Sequence, residues 1–147
     1  NNMLGEDDLH PDGFHAAPAG ERVASMMSPT VVLDPSGDPR LVVGSGGSKR
    51  IRTTIVQVVS AVVDHGAPIE AAVQAPRLHW DGDLLQVEPG WPATTVAALR
   101  ERWPVNEWAE RNLYFGGAHA VVPSGPGGPG SAAGDPRRGG AALAVDP

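Results

Sequence analysis

Apolar positions along this chain change their period at a few places, and each change marks a predicted element. Thr30 to Leu33 is apolar, Asp34 to Pro39 ("DPSGDP") is a string of turn formers, and Leu41 to Val43 is apolar again, which predicts two buried strands folded about a turn. Beyond Gly47 the period becomes helical. Ile51, Ile55, Val58, Val59, Val62 and Val63 fall at helical spacing, with Ser48 as candidate N-cap and Gly66 as the stop. A second helix is predicted from Pro68 to about Ala75, opened by one proline and closed by the next, Pro76. Leu78 to Trp80 and Asp83 to Val87 flank Gly82 as a second hairpin. Trp91 to Trp103, with Pro92 near its start and Val96, Leu99 and Trp103 in helical register, predicts a third helix. Asn112 to Val122 reads as a central strand interrupted by Gly116-Gly117, and Ala141 to Val145 as a last strand.

Between these elements, residues 1–24 are polar, acidic and rich in turn formers, and predict a surface loop. Residues 123–140 are Gly/Pro-rich and predict a flexible one. Strands in hairpins and helices in adjacent pairs point to an α+β domain over 1–147, an antiparallel sheet covered by helices rather than a doubly wound fold. A chain of 147 residues is long enough to bury a core as one domain.

Composition removes several function classes. The net charge is -6 and the 11 basic residues form no long run, so a surface that tracks nucleic-acid phosphates is excluded. The chain contains no cysteine, which rules out disulfides, thiolate metal sites and a cysteine nucleophile. Its longest apolar runs fall far short of a membrane span. The histidines at 10, 15, 65, 79 and 119 show no HExxH or clustered ligand spacing, so no metal is expected, and the four tryptophans read as packing residues.

The stretch "VVGSGGSKRI", Val42 to Ile51, concentrates the candidate chemistry. A dinucleotide fingerprint would need glycine where Lys49 stands, and a P-loop would need Gly-Lys followed by Ser or Thr, whereas here Ser48 precedes Lys49 and Arg50 follows it. What remains is a strand-to-helix turn whose backbone N–H groups are placed to meet a negative oxygen, or else a plain tight turn.

Taken in order, "NNMLGEDD", "SMMSPT", "VVGSGGSKRI", "GGAHAV" and "GDPRRGGAA" resemble the small subunit of γ-glutamyltranspeptidases, members of the N-terminal nucleophile hydrolase superfamily. The helix "IRTTIVQVVSAVVDHG" and the segment "APRLHWDGDLLQVEPG" extend the resemblance to nearly the whole chain. It implies a four-layer αββα sandwich, incomplete in this chain, and an acyl-enzyme reaction on glutathione or related γ-glutamyl amides. It further implies that Gly46 and Gly47 form the oxyanion hole, that Asp8 holds the substrate α-amino group, and that Ser25 and Met26 occupy the two positions that bind its carboxylate. Two departures stand out: "MLGE" replaces a shorter spacer that usually supplies glutamine, putting Met3 there, and Met26 replaces a serine.

The same resemblance implies that the nucleophile is an N-terminal threonine exposed by self-cleavage a few tens of residues before Asn1, outside this sequence. The chain alone is therefore expected to be inactive and to need the large subunit, or the N-terminal part of the same precursor, as partner. No cofactor is implied. The family points to a periplasmic or secreted location and leaves a cytoplasmic one open. The alternatives are a related cephalosporin-type amide acylase, motivated by the apolar residues at 3 and 26, and a non-catalytic truncated paralogue.

Overall fold

The computed structural model describes residues 6–13, 16–124 and 130–143. The strands β1 (Thr30–Leu33) and β2 (Pro39–Gly46) form the expected hairpin, with Thr30 opposite Val43 and Val31 opposite Val42. Asp34 builds the turn: its Oδ1 accepts from the N–H groups of Ser36 (2.8 Å) and Asp38 (3.0 Å), and Gly37 supplies a φ of +91°. Helix α1 (Arg50–Val63) follows, then α2 (Ile69–Gln74). The strands β3 (Leu78–Trp80) and β4 (Leu85–Val87) pair antiparallel, as the second hairpin requires. Helix α3 spans Ala93–Arg100, shorter than Trp91 to Trp103.

Three differences from the sequence pattern have physical causes. Val105–Glu107 forms β5, parallel to β4, a strand with no alternation to reveal it; Gln86 fixes its register by accepting from Asn106 Nδ2 (2.7 Å) and Trp108 Nε1 (2.8 Å). Asn112 to Val122 is not one strand. The Asn112 side chain accepts from the Tyr114 N–H at 2.9 Å, caps a 3-10 turn over Leu113–Phe115, and Gly116 at φ +80° turns the chain into β6 (Gly117–Val122). Within the predicted flexible loop 123–140, Ser131–Gly134 forms β7 and Pro136–Arg138 a 3-10 turn, because Val121 pairs with Ala132 and Asp135 is buried. Ala141–Leu143 carry no strand, and the rest of that predicted strand lies outside the described residues.

The main sheet has the order β1-β2-β6-β7 and is antiparallel throughout; β3-β4-β5 forms a second, smaller sheet. Helices α1 and α2 cover one face of the main sheet. Ile51, Ile55, Val58 and Val62 of α1 meet Leu41, Val43, Ala118, Ala120 and Ala133 in one cluster with Ile69 and Val73 of α2. Each buried Ile or Val there contributes about 1.5–3 kcal/mol of transfer free energy. Gln57 ties α1 to β3 as a strand would, donating to the Leu78 carbonyl and accepting from the Leu78 N–H, both at 2.9 Å.

Candidate functional site

The turn between β2 and α1 is the centre of the site. Gly46 ends β2 opposite Gly117, Gly47 has φ +132°, and Ser48 is the one described non-glycine residue at positive φ, +56°. The α1 ladder begins with the Arg50 N–H on the Gly47 carbonyl (3.1 Å) and the Ile51 N–H on the Ser48 carbonyl (3.0 Å). Among the described residues, the N–H groups of Gly47, Ser48 and Lys49 meet no acceptor. Successive free amides at the positive end of a helix dipole favour an anion. Ser48 does not cap α1, contrary to the expectation from sequence; the N-cap position falls on Lys49 and no side chain caps the helix.

The acidic loop lies beside this turn. A short turn, in which the Leu9 and His10 N–H groups both donate to the Glu6 carbonyl at 3.0 Å, presents three acids in succession. Ser48 Oγ donates to the Glu6 carboxylate, Lys49 Nζ lies 2.6 Å from Asp7 Oδ1, and Arg52 Nη2 lies 2.8 Å from Asp8 Oδ2. The hydrogen bond from Lys49 holds the Asp7 carboxyl below its ordinary range. Asp8 is thus tied to the first turn of α1, with its charge on Arg52. Ser25 is exposed and accepts from the Met27 N–H at 3.2 Å, whereas Met26 is 5% exposed and belongs to the core. The two positions expected to act together therefore face opposite ways. Met3 lies outside the described residues.

Beneath the turn runs Phe115-Gly116-Gly117-Ala118. A Cβ on Gly47 would stand 2.8 Å from Gly116 Cα, and one on Gly116 would stand 2.6 Å from Thr54 Oγ1, so the two backbones touch only because both residues are glycine. The Phe115 carbonyl accepts from Thr54 Oγ1 (2.9 Å) and Arg77 Nη1 (3.0 Å). The Ala118 N–H donates to Asp135 Oδ2 at 2.8 Å.

Asp135 belongs to a buried cluster of four charges that sum to zero. Arg77 Nη2 lies 2.6 Å from Asp135 Oδ2, Arg137 Nη1 lies 3.1 Å from Asp135 Oδ1, and Arg137 Nε donates to Glu88 Oε1 at 2.7 Å. The arginines also donate to the carbonyls of Val73 (3.0 Å from each) and Ala75 (2.7 Å), the C-terminal end of α2, where positive charge is favoured. Burial alone would raise the Asp135 carboxyl; the N–H groups of Ala118 and Arg137 and the charge of Arg77 outweigh it and hold it below its ordinary range. The sequence pattern singled out neither this cluster nor Thr54. "GDPRRGG" marked the place without its role, and Arg77, Glu88 and Asp135 are too far apart in the chain for spacing to pair them.

Beside α1, Thr53 Oγ1 lies 3.1 Å from Nδ1 of the buried His79, at the edge of an apolar cavity of about 430 Å³ lined by Val56, Leu78, Trp80, Leu85 and Trp91. Burial and the neighbouring Arg50 lower the His79 pKa below its ordinary 6.5.

The family model described as Gamma-glutamyltranspeptidase matches residues 1–145. The chain belongs to the gamma-glutamyltranspeptidase family. The glutathione hydrolase proenzyme of Escherichia coli (strain K12) is 39% identical over 90 residues, which cover 60% of this chain and 15% of that protein. The acylase ACY 1 proenzyme of Pseudomonas sp. (strain SE83) is 30% identical over 102 residues, covering 69% of this chain and 18% of that protein. The solved γ-glutamyltranspeptidase from Pseudomonas nitroreducens, complexed with L-DON, superposes with a TM-score of 0.73 at 29% identity, covering 89% of this chain and 68% of that one. The chain therefore spans less than a fifth of the length of the curated relatives named here. Its α+β fold is that of the N-terminal nucleophile hydrolase neighbours, in part.

Proposed function

We propose that this chain supplies the anion-stabilising and substrate-binding part of a γ-glutamyl acyltransferase or hydrolase. The attacking threonine belongs, on this reading, to the rest of the same precursor. The observation that carries it is the run of amides at Gly47, Ser48 and Lys49, behind Gly46, that meet no acceptor among the described residues. When a nucleophile adds to the γ-glutamyl amide carbon, negative charge grows on the carbonyl oxygen, and amides held fixed in a half-buried turn stabilise that charge more than the neutral ground state. Collapse expels the amine and leaves an acyl-enzyme, which water or an amino acid resolves. Asp8 holds the substrate ammonium after exchanging its bond with Arg52, and Ser25 holds the carboxylate.

The partner is the remainder of the precursor. Cross-strand neighbours Val31, Val42 and Val121 form an apolar row on the sheet face opposite α1, and they are 55%, 39% and 46% exposed. A row of this kind needs a covering layer, and the chain alone is inactive without it and without the nucleophile.

A second reading, an amide acylase without an amino-group contact, is favoured by the pairing of Asp8 with Arg52 and the burial of Met26. Steady-state turnover of γ-glutamyl-p-nitroanilide against glutaryl amides by the complete protein separates the two. Turnover of the γ-glutamyl donor is expected, and its absence alongside glutaryl hydrolysis would replace the first reading by the second.

A further inference from the structure

We infer that Thr54 is a positioning residue that sets the spacing of the oxyanion turn; this rests on the acyl-transfer reading above. A threonine inside a helix ordinarily turns its hydroxyl back to the carbonyl one turn earlier. Thr53 does so, donating to the Arg50 carbonyl at 3.2 Å, but Thr54 reaches sideways to the Phe115 carbonyl at 2.9 Å and is 1% exposed. This bond joins the two sides of the turn. One side is α1, whose first ladder bonds fix Gly47 and Ser48; the other is Gly116-Gly117, on which Gly46 and Gly47 rest. Gly116 has no side chain in the space that Thr54 Oγ1 fills, so the clamp and the glycine are fitted to each other.

The Phe115 carbonyl has a second donor, Arg77 Nη1 at 3.0 Å. Removing the Thr54 hydroxyl therefore leaves no buried orphan acceptor, and the loss falls on spacing rather than on satisfaction. Displacement of a catalytic group on the order of 1 Å costs about 100-fold in rate.

The test compares Thr54→Val, which keeps the bulk without the donor, with Thr54→Ser, which keeps the donor without the methyl, in the complete protein. Thr54→Val is expected to lower kcat by about 10- to 100-fold with KM within about 2-fold, and to speed hydrogen exchange of the amides of segment 44–50. Thr54→Ser is expected to restore kcat even where it lowers the thermal midpoint. A purely structural role would lower the midpoint in both and leave kcat of the folded protein unchanged, and that result overturns the inference. Should Thr54→Val fail to accumulate, Thr54→Cys keeps the bulk and weakens the donor, with the same two outcomes. Gly47→Ala is measured alongside: if it slows turnover and Thr54→Val does not, Thr54 is no positioning residue, and if neither slows turnover the acyl-transfer reading itself fails.

Discussion

Replacing Asp135 by asparagine tests the claim that the buried charge cluster holds the floor of the site. The side chain is 0% exposed, and its carboxylate accepts from Arg77 Nη2, the Ala118 N–H, the Arg137 N–H and Arg137 Nη1 at 2.6–3.1 Å. Asparagine leaves the cluster with an uncompensated positive charge and turns one acceptor into an amide donor that faces N–H groups. Breaking a buried ion pair on one side costs about 3–5 kcal/mol, whereas an exposed pair such as Lys49 with Asp7 is screened by solvent and contributes little. At about 2 °C per kcal/mol in a protein of this size or larger, the thermal midpoint of the complete protein, followed by tryptophan fluorescence, should fall by at least about 5 °C. Asp7→Asn serves as control and should move it by no more than about 2 °C. In a double-mutant cycle, Arg77→Met with Asp135→Asn should cost less than the sum of the two by at least about 1 kcal/mol. A midpoint shift equal to that of Asp7→Asn, or strict additivity in the cycle, would refute the reasoning.

The remaining predictions concern the turn and His79. Gly47→Ala should cost about 1–3 kcal/mol in stability, because φ is +132° and its Cβ would meet the Gly116 backbone at 2.8 Å, and should lower kcat by about 100-fold or more; thermal unfolding and initial-rate kinetics on one preparation check both. For His79, burial first and Arg50 second place the folded pKa below 6.5, so the folded state binds fewer protons than the unfolded chain. Stability is then full above about pH 6.5 and drains as pH falls through that value toward the lower folded pKa. The thermal midpoint should fall between pH 7.5 and pH 5.5, and His79→Gln should flatten that slope.

Legibility followed the physics of each element. The β1–β2 hairpin and α1 announce themselves because a buried face imposes a period and Asp34 and Gly37 mark the turn. The strand β5 and the 3-10 turn at Leu113–Phe115 do not, since their conformations are fixed by side chains from elsewhere: Gln86 holds Asn106 and Trp108, and Asn112 caps Tyr114. The stretch 123–140 misled for a related reason. Its glycines and prolines read as flexibility, yet Asp135 and Arg137 are held by Arg77 and Glu88, residues 58 and 49 positions away, and no local pattern carries that pairing. In the candidate site, motif order singled out Gly46, Gly47 and Asp8 as expectations, while the Thr54 bond to Phe115 and the cluster beneath it appear only in three dimensions.

Ser48 shows why the misplaced helix cap matters most. A serine just before an apolar helical run is expected to close one of the orphan amides of the first turn with its hydroxyl, and such a cap contributes about 1 kcal/mol. Here the residue sits at φ +56°, which is costly for a side chain bearing a Cβ, and its hydroxyl is donated away from the helix to Glu6. Two sources of stability are given up at one residue, and ahead of the N–H groups that a cap at 48 would reach, the amides of Gly47, Ser48 and Lys49 meet no acceptor among the described residues. A plain tight turn has no reason to give up the ordinary N-cap geometry that was available to the same sequence. An anion-binding turn has a use for such amides, since successive unpaired N–H groups at a helix start favour a negative oxygen. Glu6 closes the "MLGE" segment, so the acidic loop and the helix start are joined by the hydrogen bond from Ser48 Oγ to its carboxylate.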